Sequence, residues 1–319
     1  MAVNDMKKDF NPGKIGVLLG GPSSEKEISL KSGRAVCSGL SFLGLEALPV
    51  EVATDNVPAA EQLLRDSGID CAFIALHGYF GEDGQIQEIL ERIGLPYTGS
   101  GPAASRLCMD KAASREVFLR NGFNVARGVV FNRRDGFDPA ALEELAFPLV
   151  IKPACNGSSI GVSFADDRRQ AEEAARAAFL LDDKVIAEEF VGGKELTVGI
   201  LAGRALPVIG IVPQKRFFDY EAKYNKGITE YEIPAVIDRV SAEVAQAAAL
   251  KAHNALGCNG YSRVDIILSD RGPVILEINS IPGMTETSLL PKAAAIEGMD
   301  FPHLCLRLLE LAYEKEQRG

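Results

Sequence analysis

The sequence predicts a chain of mixed α/β and α+β character in three units, and three observations carry that prediction. The first hundred residues alternate short apolar runs with helical patterns, the signature of βαβ units and a parallel sheet. The run Thr98-Gly99-Ser100-Gly101-Pro102 breaks both patterns and marks a boundary. Further on, Glu195–Leu201 and Leu206–Val212 read as antiparallel strands joined by Ala202-Gly203-Arg204. The divisions drawn on this basis are 1–99, 100–188 and 189–319.

Each element has its own reason. Lys14–Leu19 (KIGVLL) is an apolar run of strand length, as expected for a strand covered on both faces. Ile28–Leu43 follows as a helix, Ala47–Val52 as a strand, Ala59–Ser67 as a helix, Cys71–Leu76 as a third strand and Ile86–Ile93 as a helix. Ligands of such sheets lie beyond the carboxyl ends of the strands. Gly20-Gly21-Pro22-Ser23 and His77-Gly78-Tyr79-Phe80-Gly81 both occupy that position. Beyond the boundary, a helix around Lys111–Asn121 precedes strands at Ala126–Phe131, Pro148–Lys152 and Val162–Phe164. A helix over Arg168–Leu181 and a strand at Lys184–Glu188 close the unit. In the third unit a polar loop, Phe217–Tyr231, separates the two antiparallel strands from an Ala-rich helix, Val240–Leu256. Strands at Ser262–Leu268 and Val274–Ile278 and a terminal helix from Phe301 complete it.

Composition narrows the function classes. Of 319 residues 47% are hydrophobic and 24% charged, which excludes disorder, collagen-like repeats and coiled coil for the whole chain. Lys and Arg total 34 against 44 Asp and Glu, a net charge of -10, so no global field draws nucleic acid or an anionic membrane. No run approaches the roughly 18 apolar residues of a spanning helix, and MAVNDMKKDFNPGK lacks the apolar core of a secretory signal. A cytoplasmic protein without membrane insertion is the expectation. Cys37, Cys71, Cys108, Cys155, Cys258 and Cys305 are scattered, with no CxxC, and read as reduced, mostly buried thiols.

Four constellations carry chemistry. Neither GxGxxG nor GxxxxGK[ST] is present, so the usual glycine-rich phosphate turns are missing. Ser24 and Glu27 have capping-box spacing, with Ser24 as N-cap, which leaves Glu25 at the first helical position. Glu25 is then either an acid aimed into the cleft or a surface acid compensating the helix dipole. Lys152-Pro153-Ala154-Cys155-Asn156-Gly157-Ser158-Ser159-Ile160-Gly161 offers amides and hydroxyls that can cradle phosphate, or is simply a mobile hairpin. Arg263 and Asp265 share one face of a strand, as do Glu277 and Asn279. If these strands pair, three oxygen ligands suited to Mg²⁺ stand beside an arginine, although a salt-bridge ladder fits the same pattern. His77, in LHGYFGEDG, is open to a structural or a catalytic role, whereas His253 and His303 read as structural.

Taken together, LLGGPSSEKEISLKSG, ALHGYFGEDGQIQ, YTGSG with MDK, IKPACNGSSIGVS, EEFVGGKELTVGI, DYEAKY, SRVDIIL and EINSIPGMTETSLLPK resemble the D-alanine–D-alanine ligase family of the ATP-grasp superfamily, in its order and spacing from Lys14 to Lys292. The resemblance implies an ATP-grasp fold behind an N-terminal substrate domain, with ATP and Mg²⁺ (two ions, Mn²⁺ able to substitute) as cofactors. It implies that Lys111 and Lys152 contact the nucleotide, that Glu188, Glu189, Phe190, Val191 and Glu195 read adenine and ribose, and that Ser158 and Ser159 cover the phosphates. Asp265, Glu277 and Asn279 match the magnesium ligands. Arg263 and the backbone of Gly283 match the oxyanion-stabilising groups, and Ser288 and Leu289 the holders of the second D-alanine's carboxylate. Glu25 would hold the first D-alanine's ammonium and His77 orient its carboxylate. Lys223 and Tyr224 fall in the expected lid, Tyr224 bonding Ser158 and Glu25 on closure. Cys155, Asn156 and Phe218 depart from the family's usual residues. The implied activity makes D-alanyl-D-alanine for peptidoglycan precursors through a D-alanyl phosphate, in a homodimer. A D-alanine–D-lactate ligase or another ATP-grasp ligase is the near rival, and a non-catalytic nucleotide-binding protein the distant one.

Overall fold

The computed structural model describes residues 10–157, 159–213 and 229–316. The N-terminal unit alternates as expected: β1 (Ile15–Gly20), α1 (Lys26–Phe42), β2 (Ala47–Val52), α2 (Val57–Asp66), β3 (Cys71–Ile74) and α3 (Gln85–Ile93). The three strands are parallel in the order β2-β1-β3. All six β1 residues are buried, which is why that stretch carries no polar alternation.

The segment assigned to a boundary holds a helix, α4 (Pro102–Met109), opened by proline at its first position. Next come α5 (Lys111–Arg120), β4 (Gly128–Asn132), β5 (Leu149–Pro153), β6 (Ser163–Ala165), α6 (Arg168–Phe179) and β7 (Lys184–Glu189). Their antiparallel sheet has the order β4-β7-β5-β6, covered by α6 through Ala171, Ala174, Ala175 and Ala178. β7 runs one residue past the expected division at 188, because Glu189 pairs with Leu149.

The last unit contains β8 (Lys194–Leu201), β9 (Arg204–Ala205), β10 (Ile209–Pro213), β11 (Thr229–Glu232), α7 (Arg239–Ala255), β12 (Tyr261–Ser269), β13 (Gly272–Asn279), α8 (Leu289–Ile296) and α9 (Phe301–Glu316). Its sheet has the order β11-β10-β8-β12-β13, with β9 beside β8. The terminal helix returns to the N-terminal unit. Leu304, Leu308 and Leu309 of α9 share one core with Ile15, Val17, Val36 and Leu40. First and last units are therefore fixed to each other, and Tyr261 at the start of β12 joins the same core.

Three expectations need correction. The polar loop expected through Tyr231 ends in a strand, β11, because Tyr231 and Glu232 pair with Ile211 and Gly210 along the outer edge of β10. The capping box at Ser24 is not formed: α1 starts at Lys26, Glu25 is its N-cap residue, and no side chain caps it. Ser23 takes over that turn, accepting from the Glu25 N–H at 3.2 Å and donating to the His77 carbonyl at 2.6 Å. The stretch Leu289–Ile296, given no element, is helical because Pro291 falls in a first turn, where a missing N–H costs nothing.

Candidate active site

Glu25 sits beyond the end of β1, 8% exposed, and two glycines line its carboxylate. A Cβ on Gly78, at φ +71°, would lie 2.6 Å from Glu25 Oε2, and one on Gly157 at 2.9 Å. The phosphate-loop candidate thus touches the acid of the N-terminal unit. His77 is buried beside it. Its Nε2 is 3.1 Å from Ser32 Oγ and its Nδ1 3.1 Å from Glu82 Oε1. Burial pushes the Glu82 carboxyl above its usual range, with His77 working against that rise. Ser32 Oγ also accepts from the Met284 N–H at 3.4 Å, tying α1 to the segment that carries Gly283. Both His77 ring nitrogens are thus engaged, one by α1 and one by Glu82.

Lys111 opens α5, whose N-cap Asp110 accepts from the Ala112 and Ala113 amides. Its ammonium donates to the Asn156 carbonyl at 2.8 Å and lies 3.2 Å from Glu277 Oε2. Burial opposes that charge, but the Glu277 carboxylate outweighs it and holds the ammonium above its ordinary value. Lys152 on β5 forms a close ion pair with Glu188 on β7. Glu189 points elsewhere, accepting from the Ala146 N–H at 2.9 Å. Phe190 is half exposed, edge to face with Phe164 at 5.7 Å, and Val191 follows it outside any strand. Ser159 takes a left-handed φ of 58°.

The strands that carry the acids do pair. Asp265 stands opposite Glu277, and Arg263 opposite Asn279, so all four side chains share one face. An extra residue, Leu276, bulges out immediately past this pair, because Ile266 meets Ile275. Without the bulge the pairing could not hold both acids opposite and still keep Ile266 and Ile275 in the core. Arg263 grips both Asp265 oxygens, at 3.0 and 2.8 Å. On the other side β8 lays Thr197 against Asp265, and its hydroxyl donates to Oδ1 at 2.6 Å. Glu195 lies two residues before Thr197, on the same strand face. Asn279 Oδ1 accepts from the Ile281 N–H at 3.0 Å. Ser288 precedes α8, its hydroxyl 2.8 Å from Thr285 Oγ1 and close to Gly283, while Leu289 is half buried against the first core.

Among the described residues no three His, Cys, Asp or Glu side chains gather closely enough to hold a metal ion alone. Two carboxylates and an amide oxygen are a partial set, which fits Mg²⁺ because that ion completes its shell with phosphate oxygens and water. Ser158, Lys223 and Tyr224 lie outside the described residues, as does Phe218. Ser32, Glu82 and Thr197 went unnoticed in the sequence. Thr197 alone left a signal, a polar residue two positions from Glu195 amid the apolar run Leu196–Leu201.

Family models described as the D-ala D-ala ligase N-terminus and C-terminus match residues 48–100 and 119–310. A D-alanine–D-alanine ligase of Methylacidiphilum infernorum is 46% identical over 305 residues, covering 95% of this chain and 96% of its own. One from Geobacter sulfurreducens is 45% identical over 311 residues, covering 96% and 97%. The crystal structure of the Bacillus anthracis enzyme complexed with ATP superposes with a TM-score of 0.85 at 31% identity, covering 96% of this chain and all of that one. The VanG D-Ala:D-Ser ligase of Enterococcus faecalis gives 0.81 at 30%, covering 94% and 99%. With the matched models and these relatives spanning nearly its whole length, this chain belongs to the D-alanine–D-alanine ligase family.

Proposed function

We propose that the chain joins two D-alanines into D-alanyl-D-alanine at the expense of ATP, for peptidoglycan precursors. The observation that carries the reading is the shared face of Arg263, Asp265, Glu277 and Asn279 opposite Lys111, joined to the pocket of Glu25 and His77. A carboxylate is a poor acyl donor because its leaving group would be oxide. Phosphorylation by ATP turns that oxygen into a leaving group, giving a D-alanyl phosphate. Glu25 holds the first D-alanine's ammonium, and His77, fixed by Ser32 and Glu82, positions its carboxylate. Lys111 and Lys152 offset charge on the phosphates, with Ser158 and Ser159 above them, while Glu188, Glu189, Phe190, Val191 and Glu195 take the adenosine. Asp265, Glu277 and Asn279 would hold magnesium, which when bound supplies further charge neutralisation at the transferring group. The second D-alanine's amine then attacks the acyl carbon. Arg263 and the Gly283 N–H stabilise the tetrahedral oxyanion. Ser288 and the backbone at Leu289 anchor the acceptor's carboxylate, Lys223 and Tyr224 close over the site, and phosphate leaves.

The same reading divides the chain into a substrate unit (1–99), a central unit (100–188) and a C-terminal unit (189–319), in a cytoplasmic homodimer. Among the described residues no helix is long and apolar enough to cross a membrane. A second acceptor class is favoured by one observation, the likeness to a D-Ala:D-Ser ligase. Phosphate release from ATP with D-alanine alone, and with D-serine or D-lactate competing, tests both when the products are weighed. Release without D-alanine dependence would overturn the proposal.

A further inference from the structure

The six thiols are not equivalent. Cys108 lies in the last turn of α4 and Cys258 in the turn between α7 and β12, 150 residues apart in sequence, yet their Sγ atoms are 3.3 Å apart. A disulfide needs about 2.05 Å, so the sulfurs would have to approach by about 1.2 Å. Cys108 is 5% exposed whereas Cys258 is partly exposed, so an oxidant arriving from solvent meets Cys258 first. Hydrogen bonding points to the same order of attack. Its contact with Cys108, helped by the Ser100 hydroxyl, holds the Cys258 thiol below its ordinary value, and the same contact together with burial raises Cys108. Burial pushes Cys37 and Cys71 up to about 11 and Cys155 up to about 12. Cys258 is thus the thiol best prepared to become a thiolate, with a resolving thiol already in contact.

The pair also sits where a small movement matters. Cys108 is three residues before Lys111, across the Asp110 cap, and the Glu82 charge reaches it. Cys258 is five residues before Arg263, and its neighbour Asn259 donates from its backbone to Ser100 Oγ at 3.0 Å. We propose that Cys108 and Cys258 form a peroxide-sensitive dithiol whose closure to a disulfide ties α4 to the base of β12 and suppresses ligation. The Cys258 thiolate attacks one oxygen of hydrogen peroxide. The O–O bond breaks, the second oxygen leaves as water after protonation, and the sulfur becomes a sulfenic acid. The Cys108 sulfur then attacks that sulfur, the S–O bond breaks, and a second water leaves with the Cys108 proton. The two thiols lose two electrons and peroxide gains two. Lys111 and Arg263 are drawn with the segments that close, and a displacement of about 1 Å at reacting groups costs on the order of 10²-fold.

The suppression of turnover rests on the ligase reading; the disulfide itself does not. The test treats the full-length enzyme with hydrogen peroxide, alkylates remaining thiols, maps peptides by mass under non-reducing conditions and assays D-alanine-dependent phosphate release in parallel. The expected result is a Cys108–Cys258 linked peptide, about 2 Da lighter than its two parts. Turnover falls at least ~10-fold as the link forms, and dithiothreitol reverses both. Cys258→Ala keeps basal turnover and resists peroxide, while Cys108→Ala leaves a sulfenic acid on Cys258 that dimedone traps. Should either variant fail to fold, the wild-type peptide map still decides. The proposal is overturned if both thiols stay alkylatable while Cys37 or Cys155 oxidises, or if the link forms with turnover unchanged. It is equally overturned if Cys258→Ala is inactivated as fast as wild type. No D-alanine-dependent turnover before peroxide would instead sink the ligase reading.

Discussion

Replacing Thr197 by Val tests the proposed metal face through the residue that supports Asp265 from behind. The change keeps the shape of a residue 2% exposed and removes one hydroxyl that donates to Asp265 Oδ1 at 2.6 Å. A hydrogen bond to a charged acceptor contributes about 1.5–3 kcal/mol, and each ~1.4 kcal/mol is tenfold, so about 10- to 150-fold is at stake. Arg263 still holds both Asp265 oxygens, so the carboxylate stays in place but leans further on the guanidinium. A carboxylate so drawn is a weaker ligand for a second cation. The expected outcome is a magnesium requirement raised by about that factor, with turnover partly restored at high magnesium and a small loss in melting temperature. Phosphate release across a magnesium titration measures it, with Thr197→Ser as the variant that keeps the hydroxyl and recovers the wild-type curve. If Thr197→Val follows the wild-type magnesium curve, Asp265 needs no orienting hydroxyl and its assignment as a metal ligand is undermined.

Gly157→Ala places a Cβ 2.9 Å from Glu25 Oε2, some half an ångström too close, so the acid must shift. Turnover should fall by about 10-fold with the melting temperature nearly unchanged; equal activity would separate Glu25 from the reacting centre. Glu277→Gln should abolish turnover while keeping the fold, and full activity at low magnesium would contradict the ligand role. His253 gives a pH prediction. Burial holds it at about 4 against 6.5 when exposed, so the unfolded chain takes up a proton first as pH falls. Stability is complete above about 6.5 and is lost towards 4, by about 3 kcal/mol from this group. Urea midpoints across that window should flatten in His253→Gln, and an unchanged slope would place the acid sensitivity elsewhere.

The fold was legible wherever one residue type repeated at a structural period. KIGVLL and the alternation after it gave β1 to α3 with edges off by a residue or two, because burial on both faces leaves no other reading for so apolar a run. The chain was silent where punctuation and structure coincide. Gly101-Pro102 looked like a break and is a helix start, and Pro291 hid α8 for the same reason. At the site, i and i+2 spacing put Arg263 with Asp265 and Glu277 with Asn279, since a strand's pleat is a local property. Their mutual register rests on the Leu276 bulge, which no local pattern announces. Ser24 failed as a cap because Ser23 bonds a carbonyl 54 residues away. Long-range partners of that kind, such as Ser32 for His77 or the Asn156 carbonyl for Lys111, exist only once the chain has folded.

Charge pairing explains how an acidic protein can seat a polyanion. Lys111 faces Glu277, Lys152 faces Glu188 and Arg263 faces Asp265, each cation matched by an acid of the same site. A buried charge without a partner costs several kcal/mol, so each pair lowers the cost of holding its cation inside the cleft. The pairs are also exchangeable. On the proposed reading, an arriving phosphate oxygen would replace Glu277 as the partner of Lys111, leaving Glu277 free to hold the cation that accompanies the nucleotide. The same reading has Lys152 release Glu188, which would free the acid for hydrogen-bond donors on the adenine edge. These three pairs are neutral before the nucleotide arrives, so the energy gained depends on geometry more than on attraction at a distance. A steered encounter would show a steep fall in association rate with salt. An exchange of short-range partners predicts a nearly flat one, so stopped-flow nucleotide association at increasing ionic strength separates the two. A drop of tenfold or more between about 0.05 and 0.5 M salt would refute the exchange.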